Sequence, residues 1–541
     1  MKSRIDRAEA AVAALLTIGA IWLQGVAAAS AGPLWRDEAN TVALATMPTM
    51  SEVWRNLQFD SFPLLWIGII RVYSAIVGPS NDAAFRALGF AVGVGVTAAL
   101  WIVARSINRS PPLVSLVLFG LCPSFILWGP SARAYGFGIL LIFLTVALLW
   151  RFIREPTPLR CAIAGLFALA AVQTLYYNAV LLLAFGVGAI AVCWTRRKWS
   201  AAAGVVAIGA TAAISLVAYM SVIRDAATWN ALVQIPDYSL GWFLKMLDQT
   251  LRPGGSWVPL IWAEAFILAI VVGARAFRSG SGDTFTRERR DAVLFSLVAL
   301  VTGSVGLFWF LNLLSYYTAP WYYLPLLALA AVCIDALSGA LVVTPTARTV
   351  RLASVVVLGA ATLIPATRAV NTRRSNVDLV ASRLREKATD GDAILVHVWY
   401  YGVSLDRYYR GTVPWTTIPP IDFHAFHRYD LIKTWMTAAD QRTPVRSVID
   451  VATASLKRGD KVFLVGDLPR PHGAGLPRVL PPAPVPGLGW PEQGYNDQWG
   501  EMVGHYLRSH AATIRAIPVS PEGRVSQYEN LRLLVAEGWR P

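Results

Sequence analysis

The sequence predicts an α-helical polytopic membrane protein with about eleven transmembrane helices and a C-terminal soluble α/β domain. Hydrophobic residues make up 55% of the 541 residues and charged residues only 15%, a balance that soluble globular proteins of this length do not have. Long apolar runs follow one another through the first two-thirds of the chain, and short clusters of Arg and Lys separate many of them. The net charge of +15 is therefore attributed to membrane topology, and no nucleic-acid partner is expected.

The predicted membrane domain covers residues 1–369. Its first apolar run is too long for a secretory signal peptide and lacks a clear cleavage site, so it is interpreted as a retained helix. Basic clusters fall in alternate links, which predicts a cytoplasmic N-terminus and, after an odd number of spans, an extracytoplasmic C-terminal domain at the inner or plasma membrane. The predicted spans are residues 10–31, 82–104, 113–129, 136–152, 161–177, 179–195, 201–222, 257–277, 292–314, 320–341 and 351–369.

The apolar segment 62–78 is an exception to this count. It begins beside Pro63 and carries Arg71. If it crossed the membrane, every later basic cluster would lie on the outer side, which the charge rule rejects. The segment is therefore predicted to lie flat at the outer interface as an amphipathic helix, within a long first outer loop of residues 32–81.

Residues 370–541 have a different composition, with many charged residues at helical spacing near their start. Residues 392–397 (DAILVH) and 461–467 (KVFLVGD) are predicted to be strands buried on both faces. Residues 469–491 contain eight prolines, which predicts an extended loop. This part is expected to form a small α/β domain outside the membrane.

Two adjacent carboxylates, Asp37 and Glu38, follow the first predicted span and are expected at the level of the outer headgroups. Such a pair is costly there unless it is solvated, paired or bound to a metal. Activation of an acceptor hydroxyl needs one carboxylate as a base, and a phosphate leaving group needs an arginine, a lysine or a divalent cation. Asp60 lies in the same outer loop and Arg133 in a short turn on the same side, so we expect them to share one cleft. A substrate with its phosphate at the headgroups and its tail in the bilayer would suit this cleft.

Simpler interpretations of these residues stay open at this point. Asp37 also has the position of a helix N-cap, Glu38 of a solvated interface carboxylate, and Asp60 of the start of the interfacial helix. Arg133 is also compatible with a headgroup anchor, and Tyr135 with an interfacial aromatic belt.

Histidines occur only in the C-terminal third of the chain. His424 and His427 have i, i+3 spacing, but no third zinc ligand is evident near them. A zinc site is therefore not predicted from this pair.

Three short motifs occur in the order found in a known family: residues 35–39 (WRDEA), 60–65 (DSFPLL) and 131–135 (SARAY). The chain resembles the type C (GT-C) membrane glycosyltransferases. Within that group it is most similar to the bacterial branch of protein O-mannosyltransferases, aminoarabinose transferases and related lipopolysaccharide sugar transferases. These enzymes have an acidic motif in the first outer loop, a His-Pro-Pro-Leu-Tyr segment and a Glu-Ala-Arg-x-Tyr turn. The chain departs from the pattern at Phe62, where the histidine is replaced, and at residues 320–323, where an arginine is often found.

The resemblance implies transfer of a sugar from a polyprenyl-phosphate donor to a hydroxyl of a lipid, glycan or protein acceptor at the outer face of the bilayer. By the same resemblance, Asp37 would be the general base and Glu38 would assist it or, together with Asp37, bind Mg²⁺ or Mn²⁺, which some members need. Arg133 would neutralise the carrier phosphate, and Tyr135 and Asp60 would help to bind the donor.

Three other classes remain alternatives. A transporter or lipid flippase would favour inverted repeats and broken helices with paired intramembrane charges, and the sequence has no evident internal repeat. A polysaccharide polymerase or ligase, or a structural assembly protein whose soluble domain binds a partner, would share much of this architecture.

Overall fold

The structure is a computed structural model. It describes residues 4–60, 62–279, 286–470, 477, 479–519, 521 and 523–541. Ser61 of the DSFPLL motif, and residues 471–476 and 478 of the predicted extended loop, lie outside the described residues. The helices of the first 370 residues are α1 (Arg4–Ser30), α2 (Arg36–Ala45), α3 (Met50–Asn56), α4 (Leu64–Val77), α5 (Asp82–Ile107), α6 (Leu113–Ser115), α7 (Pro123–Trp128), α8 (Tyr135–Arg154), α9 (Pro158–Val172), α10 (Tyr177–Thr195), α11 (Trp199–Ser215), α12 (Met220–Ala227), α13 (Leu240–Leu251), α14 (Val258–Ser279), α15 (Arg287–Leu314), α16 (Leu324–Leu341) and α17 (Pro345–Val370).

Nine helical stretches within the described ranges are long and apolar enough to cross a membrane. This finding makes the chain a multi-pass membrane protein and confirms nine of the predicted spans. The other two predicted spans, 113–129 and 161–177, differ from the prediction in length and continuity. The nine stretches are Arg4–Ser30, Asp82–Ile107, Tyr135–Arg154, Tyr177–Thr195, Trp199–Ala227, Val258–Arg278, Arg287–Leu314, Pro320–Leu341 and Pro345–Val370.

The predicted span 113–129 is interrupted. α6 passes into a π-helical turn (Leu116–Gly120), and α7 begins only at Pro123, because proline has no N–H for the preceding turn and clashes with it. Asp335 of α16 accepts a hydrogen bond from the N–H of Val114 (2.7 Å) and so satisfies an orphan donor at the start of α6.

Both shorter segments nevertheless join opposite ends of the helix bundle. The interrupted segment starts after the end of α5 and ends beside the first part of that helix. At this contact, a Cβ on Gly89 of α5 would come within 2.7 Å of the Pro130 carbonyl oxygen. α9 starts after the end of α8 and leads to Gln173, whose carbonyl accepts the N–H of Leu65 in α4 (3.0 Å). The 15 residues of α9 extend about 22 Å at 1.5 Å per residue, so this helix is shorter than the hydrocarbon core.

α4 corresponds to the predicted interfacial segment 62–78, and its 14 residues are too few to cross a bilayer. Val72 and Ile76 on its outer face are 64% and 76% exposed. Its arginine, Arg71, donates hydrogen bonds to the carbonyl oxygens of Ala45 (2.9 Å) and Met47 (2.6 Å). Since the last carbonyls of a helix have no partner within it, Arg71 satisfies the C-terminus of α2 and ties α2 to α4.

The C-terminal region is a mixed α/β fold, as predicted. β2 and β4 match the predicted strands 392–397 and 461–467, pair in parallel, and are buried along their whole length. The main sheet has the order β3-β2-β4-β7-β5, in which β7 is antiparallel to both neighbours. The elements are β1 (Thr372–Arg373), α18 (Val377–Lys387), β2 (Ala393–His397), α19 (Tyr401–Tyr408), β3 (Trp415–Thr417), α20 (Tyr429–Met436), α21 (Thr443–Arg458), β4 (Val462–Gly466), α22 (Glu492–His510), β5 (Ala511–Ile517), β6 (Arg524–Val525) and β7 (Leu533–Trp539).

Polar contacts join the C-terminal α/β region to the membrane helices around residues 32–82. Asp82, the first residue of α5, accepts hydrogen bonds from Arg407 (2.6 Å) and from the hydroxyl of Tyr408. The N–H of Arg36, the first residue of α2, donates to Glu529 (2.8 Å). The start of α2 therefore lies between the helix bundle and the C-terminal α/β region.

Candidate active site

α2 fixes the positions of both adjacent carboxylates. The helix begins at Arg36, so its N-cap is Trp35, and the Trp35 N–H donates to the side chain of Glu38 (3.3 Å). Asp37 is the second residue of the helix, and the interpretation of Asp37 as an N-cap is therefore wrong. Its main chain lies in the first turn, where the helix dipole favours a negative charge.

Glu38 is completely buried and holds three chain segments together. Its carboxylate accepts hydrogen bonds from Arg86 of α5 (2.6 Å), from the Ala132 N–H ahead of α8 (3.1 Å) and from the Trp35 N–H. Arg86 also donates to the Pro33 carbonyl (2.6 Å). Both carboxylate oxygens thus have protein partners, so Glu38 is not the solvated carboxylate that one interpretation allowed.

Asp60 and Arg133 form a second buried ion pair. Arg133 Nη1 lies 2.8 Å from Asp60 Oδ1 and also donates to the Thr41 hydroxyl (2.6 Å) and the Asp37 carbonyl oxygen (3.1 Å). The Thr41 hydroxyl donates to the other Asp60 oxygen (2.7 Å), and the ring of Phe62 lies 4.3 Å from the guanidinium carbon. Asp60 precedes α4 without starting it, since Pro63 is the N-cap.

Arg133 is only 7% exposed, so it is not a headgroup anchor. Burial lowers the pKa of its guanidinium, but the charges of Asp60 and Asp37 outweigh burial and raise that pKa above its ordinary value. The group is therefore permanently charged. Its Nε is buried and has no hydrogen-bond partner among the residues that the structure describes.

The carboxylate of Asp37 is the open acidic group of the cluster. Its side chain is 20% exposed, and its ion pair is a long contact of 3.6 Å with Arg36 Nε. The Asp37 charge is near enough to Arg133 to help raise the pKa of its guanidinium. The structure thus brings Asp37, Glu38, Asp60 and Arg133 together, and the Asp37 side chain is the most exposed of the four.

Aromatic rings surround this cluster. Tyr135 is 3% exposed and meets Phe62 edge-on at 5.2 Å, so it lies inside the protein and not in a lipid-facing belt. Trp35, Trp128 and Trp321 pack against one another at 4.7–5.3 Å. These rings exclude water around the charged groups, which strengthens their mutual interactions.

The C-terminal α/β region places near α2 a residue, His427, that the sequence did not assign to the site. The His427 N–H donates to Asn40 of α2 (2.9 Å). His427 is buried, with only 7% of its surface exposed. Burial, and then the charges of Arg36 and Arg133, lower the pKa of His427 well below its ordinary value. The spacing of His424 and His427 was noticeable in the sequence, but nothing there indicated that one of them faces α2.

Most carboxylate oxygens of the cluster that includes the expected metal ligands, Asp37 and Glu38, are already engaged by protein donors. Both oxygens of Glu38 are engaged by protein donors, and Asp60 is paired with Arg133, whereas Mg²⁺ and Mn²⁺ prefer several oxygen ligands. Across the described ranges, no three His, Cys, Asp or Glu residues lie close enough together to hold a metal ion. The geometry therefore favours a structural role for Glu38, and metal binding by Asp37 and Glu38 stays a prediction.

Two solved structures identify the fold. The chain is similar to ArnT from Cupriavidus metallidurans bound to undecaprenyl phosphate, with 13% sequence identity and a TM-score of 0.50 over 97% of each chain. It is also similar to an Archaeoglobus fulgidus oligosaccharyltransferase in complex with Zn and sulfate, with 13% identity and a TM-score of 0.50 over 84% of this chain and 68% of that one. No protein-family model and no curated protein matches the sequence. The fold is that of the GT-C enzymes, as the motifs predicted.

Proposed function

We propose that this protein is an integral membrane glycosyltransferase that moves a sugar from a polyprenyl-phosphate donor to an acceptor hydroxyl. The observation that carries the proposal is the contrast between two neighbouring groups: the partly exposed carboxylate of Asp37 and the buried, permanently charged guanidinium of Arg133, whose Nε has no hydrogen-bond partner among the described residues. A base and a phosphate-neutralising cation at the bilayer surface are the two groups that this reaction needs. The GT-C fold, and the undecaprenyl phosphate bound by the similar ArnT, support the donor class.

In the proposed reaction, Asp37 accepts the proton of the acceptor hydroxyl while the hydroxyl oxygen bonds to the anomeric carbon. The bond between that carbon and the phosphate oxygen breaks, and its electron pair stays on the phosphate. Arg133 stabilises the charge that develops there, and Asp60 and Thr41 fix its guanidinium by hydrogen bonds. Preorganised donors of this kind are usually the largest single contribution to such catalysis.

Tyr135 and Glu38 have supporting roles in this proposal. Tyr135 closes the cleft beside Phe62 and helps to bind the donor. Glu38 accepts a hydrogen bond from the Ala132 N–H in the turn ahead of α8, and it so positions the next residue, Arg133. The reaction is placed on the outer face, as the distribution of basic residues predicts.

The transporter alternative predicts broken helices with paired intramembrane charges. The interrupted segment 113–128 contains no charged residue, and Asp335 satisfies its first turn by accepting main-chain N–H groups. The break therefore gives no specific support to transport.

The test is to incubate the purified full-length protein with labelled polyprenyl-phosphate sugars and acceptor lipid extract. A transferase releases the free carrier, whereas a transporter or an assembly protein does not. Asp37→Asn protein with an unchanged melting temperature is the matched control. Absence of carrier release with every donor and acceptor tested would contradict the proposal.

A further inference from the structure

The C-terminal α/β region places the imidazole of His427 near Asp37 and Arg133. Phe426 stacks on Phe59 of the first outer loop at 5.2 Å, and Phe59 in turn stacks on Trp229 at 6.0 Å. The next main-chain N–H, that of His427, donates to Asn40, whose own side-chain amide donates to the Phe59 carbonyl oxygen (3.4 Å). These contacts fix the main chain at His427 against α2, one turn from Asp37.

Two buried nitrogen atoms at this place have no hydrogen-bond partner among the described residues, His427 Nε2 and Arg133 Nε. Buried polar groups are almost always paired, and each exception needs an explanation. Both nitrogens belong to side chains that are more than nine-tenths buried. A ligand with several acceptor oxygens would satisfy both.

The charges around His427 indicate that such a ligand would be negatively charged. Arg36 and Arg133 both act electrostatically on the ring, and together with burial they keep it neutral. A neutral imidazole that carries its proton on Nε2 is a hydrogen-bond donor, as is the Nε–H of Arg133. Two N–H donors, one of them on Arg133 itself, lie beside the positive charges of Arg36 and Arg133 and suit an oxyanion, and phosphate offers the required geometry of acceptors.

We propose that His427 donates a hydrogen bond from Nε2 to an oxygen of the lipid carrier's phosphate. The same phosphate accepts a hydrogen bond from the Nε–H of Arg133. This inference rests on the proposed function and deepens it, because the soluble region then supplies part of the donor site. It also assigns a role to one histidine of the His424–His427 pair, which forms no zinc site with the described residues.

The test measures binding of undecaprenyl phosphate to the full-length protein in nanodiscs, with uncharged undecaprenol as the reference ligand. His427→Gln and His427→Asn are a matched pair, since both introduce an amide but only the glutamine NH₂ reaches the position of Nε2. His424→Asn is the control, because the ring of His424 packs on Trp415 inside the soluble region (4.3 Å). Melting temperatures are recorded for all variants.

We expect His427→Asn to weaken undecaprenyl phosphate binding about tenfold or more, as for the loss of a hydrogen bond to a charged group. His427→Gln should retain most of the affinity, His424→Asn should bind as the wild type does, and undecaprenol binding should not change. Equal affinities for Gln and Asn variants, or equal losses for the phosphate and the alcohol, would overturn the role of His427 while leaving the transferase proposal intact. No binding of undecaprenyl phosphate by the wild type would overturn both.

Discussion

Two buried arginine–carboxylate pairs lie around α2, and they differ in what they leave open. In the pair of Glu38 and Arg86, the carboxylate accepts three hydrogen bonds and the guanidinium donates to main-chain carbonyls as well. In the pair of Asp60 and Arg133, the guanidinium is held from one side and its Nε has no partner among the described residues. The first arrangement is complete without a ligand, and the second is not.

Within the first turn of α2, one carboxylate belongs to a buried structural contact and its neighbour to the proposed binding site. Asp37 and Glu38 are neighbours in sequence, yet one side chain is 20% exposed and the other is not exposed at all. Successive residues of a helix point about 100° apart, so Glu38 faces the bundle while Asp37 faces the cleft. Substitutions should therefore divide into those that stop transfer and those that unfold the protein.

The largest effect is expected for Asp37→Asn. Loss of a general base should lower the transfer rate by about 10²- to 10⁴-fold. The melting temperature should change little, because the Asp37 carboxylate is 20% exposed and its ion pair with Arg36 is a long contact of 3.6 Å. Initial rates and thermal unfolding of the same preparation measure both quantities. A nearly normal rate would remove Asp37 as the base.

Next comes Arg86→Leu, which leaves the Glu38 carboxylate buried without its cation. Breaking a buried pair in this way typically costs about 3–5 kcal/mol of the free energy of unfolding, so the variant should express poorly or melt at a much lower temperature. Glu155→Gln, which removes an exposed pair with Arg160, is the control and should melt normally. Arg86→Leu protein that is as stable as the wild type would refute the structural role of this pair.

A smaller effect is expected for Arg133→Lys. Lysine keeps the charge but loses the planar set of donors that reaches Asp60, Thr41 and a ligand at once. The KM for the donor should rise about tenfold with little change in the KM for the acceptor. An increase confined to the acceptor would place Arg133 on the other substrate.

The smallest effect is expected for chelation. Because Glu38 and Asp60 are engaged by protein donors, Asp37 alone is a poor ligand set for Mg²⁺ or Mn²⁺. We expect EDTA to change the initial transfer rate by less than about twofold, since Arg133 already supplies the positive charge. A strong loss of activity that Mn²⁺ restores would show that the reaction needs a cation that Arg133 does not replace.

Much of this arrangement follows from the sequence alone. Apolar run lengths predict nine of the spans, the later basic clusters argue against a further span at α4, and buried apolar runs predict β2 and β4. The common cleft of Asp37, Asp60 and Arg133 follows from placing all three at one side of the bilayer. The GT-C fold follows from the order of three short motifs.

The remaining features depend on tertiary contacts that local patterns do not encode. Arg86 is one of many arginines near helix ends, and only folding brings it to Glu38, 48 residues earlier. The contact between Asn40 and His427 joins residues 387 positions apart. The start of α6 is satisfied by Asp335, which comes from a helix more than 200 residues later.

The hydrogen bonds from Arg71 to the end of α2 have a mechanical consequence. They join α4, whose face with Val72 and Ile76 is exposed, to the end of α2, which carries Asp37. Hydrophobic segments and the bilayer around them adjust to one another when the bilayer thickness changes. Lipid acyl-chain length should thus alter the height of Asp37 above the hydrocarbon, and with it the reach to a carrier head group, without altering the internal geometry of the cleft.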